Sequence, residues 1–475
     1  MDRTDTPELA GRIKRFFDRL QVPHVLVIIA ALIVTAALAT HVVPSGEYDK
    51  TEKEGRKVVV AGTYHPVPAR RAGPMELLTA PLRGLEAGAT IIAFLLIVGG
   101  VFGIVQKSGT IDAGIFRVLK AFRGREILVI PIFMVFFSLC GAVFGMSEET
   151  IPFISIFVPI ALACGYDSLT GCAIPYVASA VGFSAAMLNP FTVGVAQGIA
   201  GVPLFSGVGY RTLCWVAFTA LAIWFVMRHA AKVKKRPQSS PVYERDQELK
   251  KHMVDAARHE KALTTGHVLG LLMLLASLAV IVVGVIKLKW YMGEITGVFM
   301  AMGILTGLAC RMKLDDMAEA FQEGASSLVG AAIVVGLSQG MVILATEGKI
   351  IDTILHHLSA PLAQLPKYAC VVVMLSVQHV INIFVNSGSG QAALTVPIMA
   401  PLGDLLGISR QTTVLIFQFG NGFTDQLVPT NNTLIGCLAL AKLEWWTWVK
   451  WVFFLQILFF GLNILFLWGA LAVGF

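Results

Sequence analysis

A short run of small polar residues, Asn386-Ser387-Gly388-Ser389-Gly390-Gln391, interrupts an apolar part of the chain. Asparagine and serine side chains offer neutral donors and acceptors, and glycine lets the backbone approach a ligand closely. Each flanking apolar arm is about 15 residues long and would reach roughly 22 Å, whereas the hydrocarbon core of a bilayer is roughly 30 Å thick. Since neither arm can cross alone, the pattern predicts a re-entrant hairpin over 369–405 that turns on a polar tip inside the membrane.

Three further interruptions have the same character. Gly145-Met146-Ser147-Glu148-Glu149-Thr150 divides the apolar segment 127–163, which predicts a second hairpin. Helices over 169–200 and 411–443 are each broken around a proline, which removes a backbone donor. Helix ends at such places expose carbonyls that suit Na⁺ and N–H groups that suit a carboxylate. We therefore predict one substrate site built from Ser147, Glu148, Glu149, Thr150, Asn189, Thr192, Asn386, Ser387, Gly388, Ser389, Asp425, Thr430, Asn431, Asn432 and Thr433.

Carboxylates inside apolar segments are costly and usually functional. Glu148, Glu149 and Asp425 could hold Na⁺, carry a proton or bind a substrate ammonium group. No lysine or arginine lies in either tip or either break, which favours a substrate with an amino group. Serine, threonine and glycine in membrane helices can instead serve packing alone. Na⁺ is the candidate coupling ion, no other cofactor is expected, and the candidate Na⁺ ligands are Ser147, Glu148, Asn189, Asn386, Ser389 and Thr430.

The composition is that of a membrane protein. Of 475 residues, 56% are hydrophobic and 14% are charged, against about 25% charged in soluble domains. Repeated apolar runs predict an all-α polytopic protein whose partners are the lipid bilayer and a small-molecule substrate. The net charge of +7 lies in the loops and does not indicate nucleic-acid binding. The seven cysteines fall in apolar segments without a Cys-x-x-Cys pair, so neither disulfides nor a zinc site is predicted.

The order of elements predicts two repeats. An N-terminal segment (1–22) precedes a first membrane half (23–229), a charged linker (230–264) and a second membrane half (265–475). Each half reads as span, amphipathic helix, hairpin, broken helix and span, with the amphipathic helices at 110–122 and 350–359. A long polar loop is predicted at 44–86, and the linker is predicted to be helical only in part.

Basic segments are retained on the cytoplasmic side of membranes. Counting spans from a cytoplasmic N-terminus places the basic linker on that side as well. The two halves are then inverted relative to each other, and the C-terminus lies outside. The predicted location is a bacterial inner membrane.

Several motifs together make the chain resemble the YfcC-like branch of the C4-dicarboxylate anaerobic carrier family, within the ion transporter superfamily. The resemblance covers nearly the whole length. It is carried by Pro23-His24, Val43-Pro44-Ser45-Gly46-Glu47-Tyr48, Gly145-Met146-Ser147-Glu148-Glu149, Asn189-Pro190-Phe191-Thr192-Val193-Gly194, Asn386-Ser387-Gly388-Ser389-Gly390-Gln391-Ala392-Ala393 and Phe417-Gln418-Phe419-Gly420-Asn421-Gly422-Phe423-Thr424.

The resemblance implies an inverted-repeat fold with two re-entrant hairpins, a homodimer and an elevator-type motion. In related sodium-coupled dicarboxylate carriers, Ser-Asn-Thr motifs at both tips bind carboxylates. Here the tips read Ser147-Glu148-Glu149-Thr150 and Asn386-Ser387-Gly388, and family members are named both as dicarboxylate carriers and as basic amino-acid antiporters.

The function expected is therefore secondary active transport of a small amino acid, basic or otherwise, or of a carboxylate. The driving force is a Na⁺ or H⁺ gradient or exchange, since no P-loop motif indicates ATP. A C4-dicarboxylate carrier of the same fold is the alternative. An intramembrane serine hydrolase is a remote one, because His379 lies about 15 Å along the helix from Ser389. An enzyme is not expected.

Overall fold

A computed structural model describes residues 25–53, 56–60, 62–111, 113, 125–258, 264–288, 290, 292–359 and 365–475. Helices make up most of it, which agrees with the predicted helical class. The predicted N-terminal segment 1–22, most of the predicted amphipathic helix 110–122 and residues 259–263 of the linker lie outside the described residues.

The helices of the first half and the linker are α1 (Val25–Val42), α2 (Pro74–Ala87), α3 (Ala89–Lys107), α4 (Val129–Phe144), α5 (Ile151–Ala163), α6 (Ser168–Ser184), α7 (Val195–Ala200), α8 (Val208–Lys235) and α9 (Tyr243–Arg258). Single turns of tighter or wider helix precede α4, α5 and α7 at Glu126–Leu128, Glu148–Thr150 and Pro190–Gly194.

The helices of the second half are α10 (Thr265–Leu288), α11 (Met292–Ala309), α12 (Leu314–Ser326), α13 (Val329–Glu347), α14 (Ile351–Ser359), α15 (Lys367–Phe384), α16 (Gly388–Leu405), α17 (Arg410–Thr424), α18 (Asn432–Leu440) and α19 (Trp445–Val473).

The prediction of a polar loop at 44–86 was wrong in part. The described part of this segment contains short strands, β1 (Gly46–Glu47) paired with β4 (His65–Pro66) and β2 (Lys50–Lys53) paired with β3 (Arg56–Val59), all antiparallel. It ends in α2, which begins at Pro74, a residue already fixed in helical φ. The described part of the chain is therefore not all-α, because it also contains these two short antiparallel pairs.

Helix lengths bear on which segments can cross a membrane. Among the described residues, five helices are long and apolar enough to do so, or six when α13 and α14, bent by 70° at their junction, count as one span. Two of the five begin the segments predicted as hairpins, at Glu126–Val143 and Lys367–Phe384. For these first arms the expected shortness was wrong, since each has 18 residues. The second arms are short as expected: α5 has 13 residues, and the apolar part of α16 is limited to Leu394–Leu405.

One group of helices is held by crossings at glycine. α2 packs on α13, where a Cβ at Gly84 would overlap the main chain of Gly336 and Gly340. α12 packs on α3, where a Cβ at Gly324 would overlap the main chain of Gly99. Absence of a side chain lets each pair of backbones approach closely, as is common between membrane helices. An ion pair also joins each pair of helices: Arg83 of α2 with Glu347 of α13, and Lys107 of α3 with Glu319 of α12.

A second group contains both predicted hairpins, the broken helices and α8 and α19. α6 packs between the arms α4 and α5, and α17 packs against α15 and α16 in the same way. The arms α4 and α5 meet through T-shaped aromatic contacts, Phe133 with Phe157 and Phe137 with Phe153, each with ring centroids 4.8 Å apart. Such edge-to-face pairs add about 0.5–1.5 kcal/mol each beyond area burial.

Left-handed backbone turns recur roughly 240 residues apart. Gly109 and Lys349 have positive φ just after α3 and α13, and Gly165 and Gly407 have it shortly after α5 and α16. Lysine in this region is strained relative to glycine, so the surrounding structure must impose the turn at Lys349.

The linker is more helical than predicted, because α8 extends to Lys235 and α9 follows at Tyr243. A buried polar cluster fastens α9 to the α5–α6 connection. Asp167 accepts hydrogen bonds from His229 at 2.7 Å, from Ser240 at 2.7 Å and from the Thr170 main chain at 2.9 Å. Asp246 of α9 accepts one from the Ser168 main chain at 2.8 Å.

Burial alone would raise the pKa of Asp167, but hydrogen bonds from His229, Thr170 and Ser240 and the attraction to His229 outweigh burial. They lower the pKa from 3.8 to about 2. The charged carboxylate therefore helps to hold the linker in place at neutral pH.

Candidate functional site at the meeting of the tips and breaks

The first tip is shaped by one glycine. α4 ends at Gly145, which has φ 74° and turns the chain away from the helix axis. A Cβ at Gly145 would overlap the side chain of Asn189, so the missing side chain lets the first tip contact the break after α6. The main-chain N–H of Ser147 then donates to Glu149 Oε2 at 3.0 Å, which gives Glu149 a role in closing the turn.

The second tip meets the same break from the other half of the chain. Ser387 begins α16 and its hydroxyl accepts from the main-chain N–H of Gly390 at 3.3 Å. A Cβ at Gly388 would lie closer than 3.0 Å to the methyl group of Thr192 and 3.4 Å from Asn421 Oδ1. Gly388 is therefore placed against Thr192 and Asn421.

Asparagines cap the helices that restart after the breaks. Asn189 Oδ1 accepts from the main-chain N–H of Phe191 at 2.9 Å, and Asn431 Oδ1 accepts from that of Leu434 at 2.7 Å. Capping satisfies a main-chain donor that the helix cannot. Because capping uses the side-chain oxygen, the side-chain NH₂ group of each asparagine can bind another partner. Asn431 Nδ2 donates to Asn386 Oδ1 at 3.2 Å. Asn189 Nδ2 is buried without a partner.

The structure joins the two halves at these residues. Ser147 Oγ lies 3.1 Å from Thr433 Oγ1, which links the first tip to the second break. Asp425 lies between α17 and that break, close to Asn382 and Asn431 and within electrostatic range of Glu148. Both tips and both breaks thus converge, although they lie far apart in the sequence.

A small cavity of about 20 Å³ opens at this junction. Such a volume admits a water molecule or a small ion. Its lining contains the carboxylate of Asp425 and, among the described residues, no lysine or arginine. The predicted site residues in the lining are Ser147, Thr150, Asp425, Asn431 and Thr433, and the others are Met146, Tyr176, Ser179, Ala180, Phe183 and Gly422.

The remaining predicted residues do not line this cavity. Asn189, Thr192, Asn386 and Gly388 are brought to the junction by the contacts given above. The other members of the predicted set lie within the same tips and breaks: Glu148, Glu149, Ser387, Ser389, Thr430 and Asn432. Ser387 and Glu149 each have a local role, the first as a cap and the second in the turn.

Residues of α6 are the part of the lining that sequence reasoning missed. Tyr176 donates its hydroxyl to the Asp425 main-chain oxygen at 3.1 Å, and Ser179 donates to the Met146 main-chain oxygen at 2.7 Å. They fasten α6 to the second break and to the first tip. Tyr176, Ser179 and Phe183 follow the helical spacing that would place them on one face before the break, and that spacing was the available signal.

Buried polar atoms without a partner are concentrated here. Among the described residues they include Thr150 Oγ1, Asn189 Nδ2, Thr192 Oγ1, Asn382 Oδ1, Asn386 Nδ2, Asn421 Oδ1, Asp425 Oδ1, Thr430 Oγ1 and Asn432 Oδ1. Leaving a buried polar group unpaired costs about 1–3 kcal/mol. The cluster is therefore suited to a ligand that supplies the missing partners.

The hydrolase alternative needs a base beside a serine. His379 Nδ1 lies 3.0 Å from the Gly420 main-chain oxygen and also contacts Thr424 Oγ1. These bonds turn the imidazole toward α17. The histidine thus has the structural role of joining α15 to α17.

Comparisons with known proteins agree with the resemblance. A family model described as the C4-dicarboxylate anaerobic carrier matches residues 22–472. Escherichia coli (strain K12) YfcC, whose name proposes basic amino-acid antiport, is 39% identical over 471 residues, covering 91% of this chain and 93% of YfcC. An uncharacterised protein of Haemophilus influenzae (strain Rd) is 28% identical over 407 residues, covering 84% of this chain and 78% of that protein.

Two solved transporter structures are also similar. Neisseria gonorrhoeae MtrF, described in terms of antimetabolite efflux pumps, has a TM-score of 0.44 and 16% identity, with 96% of each chain covered. Alcanivorax borkumensis YdaH has a TM-score of 0.42 and 14% identity, with 95% of this chain and 99% of that chain covered. Both TM-scores are below 0.5, so neither likeness is evidence for the helix arrangement described above.

Proposed function

The chain belongs to the C4-dicarboxylate anaerobic carrier family, and we propose that it is a secondary active transporter for a small amino acid with a cationic side chain. One observation carries the choice of substrate. Asp425 lines the cavity at the junction and lies within electrostatic range of Glu148, and the described residues of the lining include no lysine or arginine. Carboxylates buried without a counter-charge are costly, so a cationic ligand stabilises them.

A C4-dicarboxylate is the second candidate. α5, α16 and α18 all begin at the junction, at residues around Thr150, Ser387 and Asn431. Helix N-termini present N–H groups and the positive end of the helix dipole, which favour a carboxylate. An amino acid offers both charges: its α-carboxylate would meet the helix N-termini, and its cationic end would meet Asp425 and Glu148.

The architecture that we propose is an inverted repeat with two re-entrant hairpins. It is supported by the two glycine crossings, by the left-handed turns that recur roughly 240 residues apart and by the similar position of the two tips. Gly84 and Gly324, one from each crossing, lie 240 residues apart, and so do Lys107 and Glu347, one from each ion pair. Paired broken helices in such repeats are typical of secondary transporter sites.

An elevator-type motion fits the division into two groups of helices. All the site residues lie in the group that contains both hairpins, whereas the glycine crossings hold the other group. The first would carry the substrate past the second. Because the cavity admits only a water molecule or an ion, the tips would have to separate to admit substrate.

Coupling and topology complete the proposal. Na⁺, H⁺ or exchange would drive transport, with the unpartnered oxygens of the junction as candidate Na⁺ ligands. The protein would work as a homodimer in a bacterial inner membrane, with a cytoplasmic N-terminus and an outward C-terminus. The basic linker, which includes Lys234 and Lys235, supports that orientation.

The test is uptake by proteoliposomes that contain the purified protein. Radiolabelled arginine, ornithine, aspartate, fumarate and a dipeptide would be offered, each with and without a Na⁺ gradient and with and without internal arginine. We expect arginine or ornithine to be carried, and Asp425→Asn to abolish that uptake. Uptake of fumarate with none of arginine or ornithine would overturn the proposal in favour of the second candidate.

A further inference from the structure

A buried network of side-chain amides lies directly behind the second tip. Gln391 of α16 donates from Nε2 to the main-chain oxygen of Gln378 at 2.9 Å and to Gln378 Oε1 at 2.8 Å. Gln391 Oε1 accepts from Asn382 Nδ2 at 3.2 Å and from Asn421 Nδ2 at 3.0 Å. Thr395 donates to Gln378 Oε1 at 3.1 Å. The network joins α15, α16 and α17, and all these side chains are buried.

The orientation of every amide in the network follows from one main-chain group. A main-chain carbonyl can only accept, so the Gln378 oxygen requires the NH₂ group of Gln391 to face it. Gln391 Oε1 must then face the opposite way, where it can only accept. Asn382 and Asn421 are therefore compelled to turn their NH₂ groups toward Gln391.

The consequence is that two carbonyl oxygens are left free. Asn382 Oδ1 and Asn421 Oδ1 are buried and without hydrogen-bond partners, although both amide nitrogens are paired. Asn421 Oδ1 lies at the tip, 3.4 Å from the position of a Cβ on Gly388. Asn382 also lies close to Asp425. Asn421 Oδ1 thus adjoins the second tip, and Asn382 lies near Asp425, the carboxylate proposed to meet the cationic end of the substrate.

We propose that Gln391 is a positioning residue that holds the side-chain oxygens of Asn382 and Asn421 unpaired and so makes the space beside those two oxygens selective for a positively charged ligand group. The inference rests on the proposed function and adds the residues behind the tip that set its charge preference. Buried amide oxygens that lack a hydrogen-bond partner attract a cation or an N–H donor and repel a carboxylate. The cation is either the ammonium or guanidinium group of the substrate or an inorganic Na⁺.

The two predicted hairpins differ in this respect. The arms of the first are joined by the aromatic contacts of Phe133, Phe137, Phe153 and Phe157. Rings can hold two arms together without orienting any polar group. The amide network of the second hairpin achieves the same joining and in addition fixes which polar atoms face the ligand.

The test compares two substitutions of Gln391 that differ in the hydrogen bonds they retain. Gln391→Leu removes the acceptor for both asparagines, which can then rotate. Gln391→Glu keeps an acceptor for both, although it loses the donation to Gln378. Thr395→Val is the matched control, since it removes a buried hydrogen bond to Gln378 without touching either asparagine.

The readout is binding to the full-length protein in detergent, measured as the ligand-induced rise in Tm and as Kd, with L-arginine in a potassium buffer, with Na⁺ alone and with fumarate. We expect Gln391→Leu to lose roughly ten- to hundredfold in affinity for arginine or for Na⁺, as one or two charge-assisted bonds would give. Its response to fumarate should be unchanged or stronger. Gln391→Glu and Thr395→Val should keep the preference for the cation, whatever their own Tm.

The two cation arms identify the ligand. Loss of the arginine response assigns the oxygens to substrate, and loss of the Na⁺ response assigns them to a coupling ion. Equal loss of cation and fumarate binding in Gln391→Leu, or no loss at all, would overturn the inference. If Gln391→Leu does not fold, Asn421→Ala removes one of the free oxygens and must give the same selective loss.

Failure of the inference can be told apart from failure of the proposed function. An unmodified protein that binds fumarate and no arginine contradicts the proposed function. An unmodified protein that binds arginine, loses it in Asp425→Asn and keeps both the arginine and the Na⁺ response in Gln391→Leu contradicts the role of Gln391 alone.

Discussion

Replacing Gly388 by alanine tests the contact between the second tip and the break in the first half. The added Cβ would lie closer than 3.0 Å to the methyl group of Thr192, whereas carbon atoms in contact are about 3.5–4.0 Å apart. The tip must therefore move away from Thr192 by about 1 Å. A displacement of that size in a binding site can cost about a hundredfold, or about 3 kcal/mol.

The same substitution should leave the fold intact. Alanine is more favourable than glycine in a helix by up to about 1 kcal/mol, and Gly388 is not among the residues with positive φ. We therefore expect Gly388→Ala to fold normally and to lose about a hundredfold in arginine uptake by proteoliposomes. Gly390→Ala is the matched control in the same turn, because its Cβ would meet the Ser387 side chain at 3.2 Å. It should lose no more than a few-fold.

Thr192→Ser supplies the decisive second variant, because it removes the methyl group that would clash and retains the hydroxyl group. Combined with Gly388→Ala, it should restore most of the uptake. If Gly388→Ala transports normally, or if Thr192→Ser fails to restore uptake while Gly390→Ala is equally damaged, the tip and break do not meet as described.

The other predictions concern stability and the site. Asp167→Asn should lower the free energy of unfolding by about 2 kcal/mol at neutral pH, the equivalent of a pKa of about 2 against 3.8. Because the folded-state pKa is lowered, this contribution is present above pH 3.8 and is lost as the pH falls toward 2. The Tm difference from the unmodified protein should shrink in acid, and a constant difference would contradict the reasoning. Gly84→Ala should lower the free energy of unfolding by about 1–3 kcal/mol, because the added Cβ would overlap main-chain atoms of Gly336 and Gly340. Gly330→Ala, whose Cβ would lie in open space, is the control. Equal Tm values for Gly84→Ala and Gly330→Ala would contradict the close crossing of α2 and α13. Asn386→Ala and Asn189→Ala should each abolish uptake while membrane insertion, measured by blotting of membrane fractions, is retained, and full uptake in both would remove these residues from the site.

Interruptions in the apolar pattern made the tips and breaks predictable. Glycine among small polar residues in an apolar segment favours the end of a membrane helix. The structure places the end of α4 at Gly145 and the start of α16 at Ser387. What each tip contacts was not predictable, because the bond between Ser147 and Thr433 joins residues 286 apart. That contact depends on how whole helices pack, which a local pattern does not determine.

Two errors have definite physical causes. The helix α2 was hidden because it follows a long polar segment with several breakers, although the proline at its own start, Pro74, costs little in the first turn of a helix. The amides behind the second tip were missed because Gln378 and Asn382 are single polar residues in an apolar arm. Their importance arises only when Gln391 and Asn421 are placed beside them by the fold.

The most direct measurement of the central claim is the affinity of purified Glu148→Gln for L-arginine and for fumarate, each relative to the unmodified protein. Glu148 lies within electrostatic range of Asp425, and removing one of two neighbouring carboxylates weakens the field that attracts a cation. The account predicts a loss of arginine affinity of roughly tenfold or more, with fumarate affinity equal or higher. Equal losses for both ligands would contradict it and would leave Glu148 a structural or ion-coupling role.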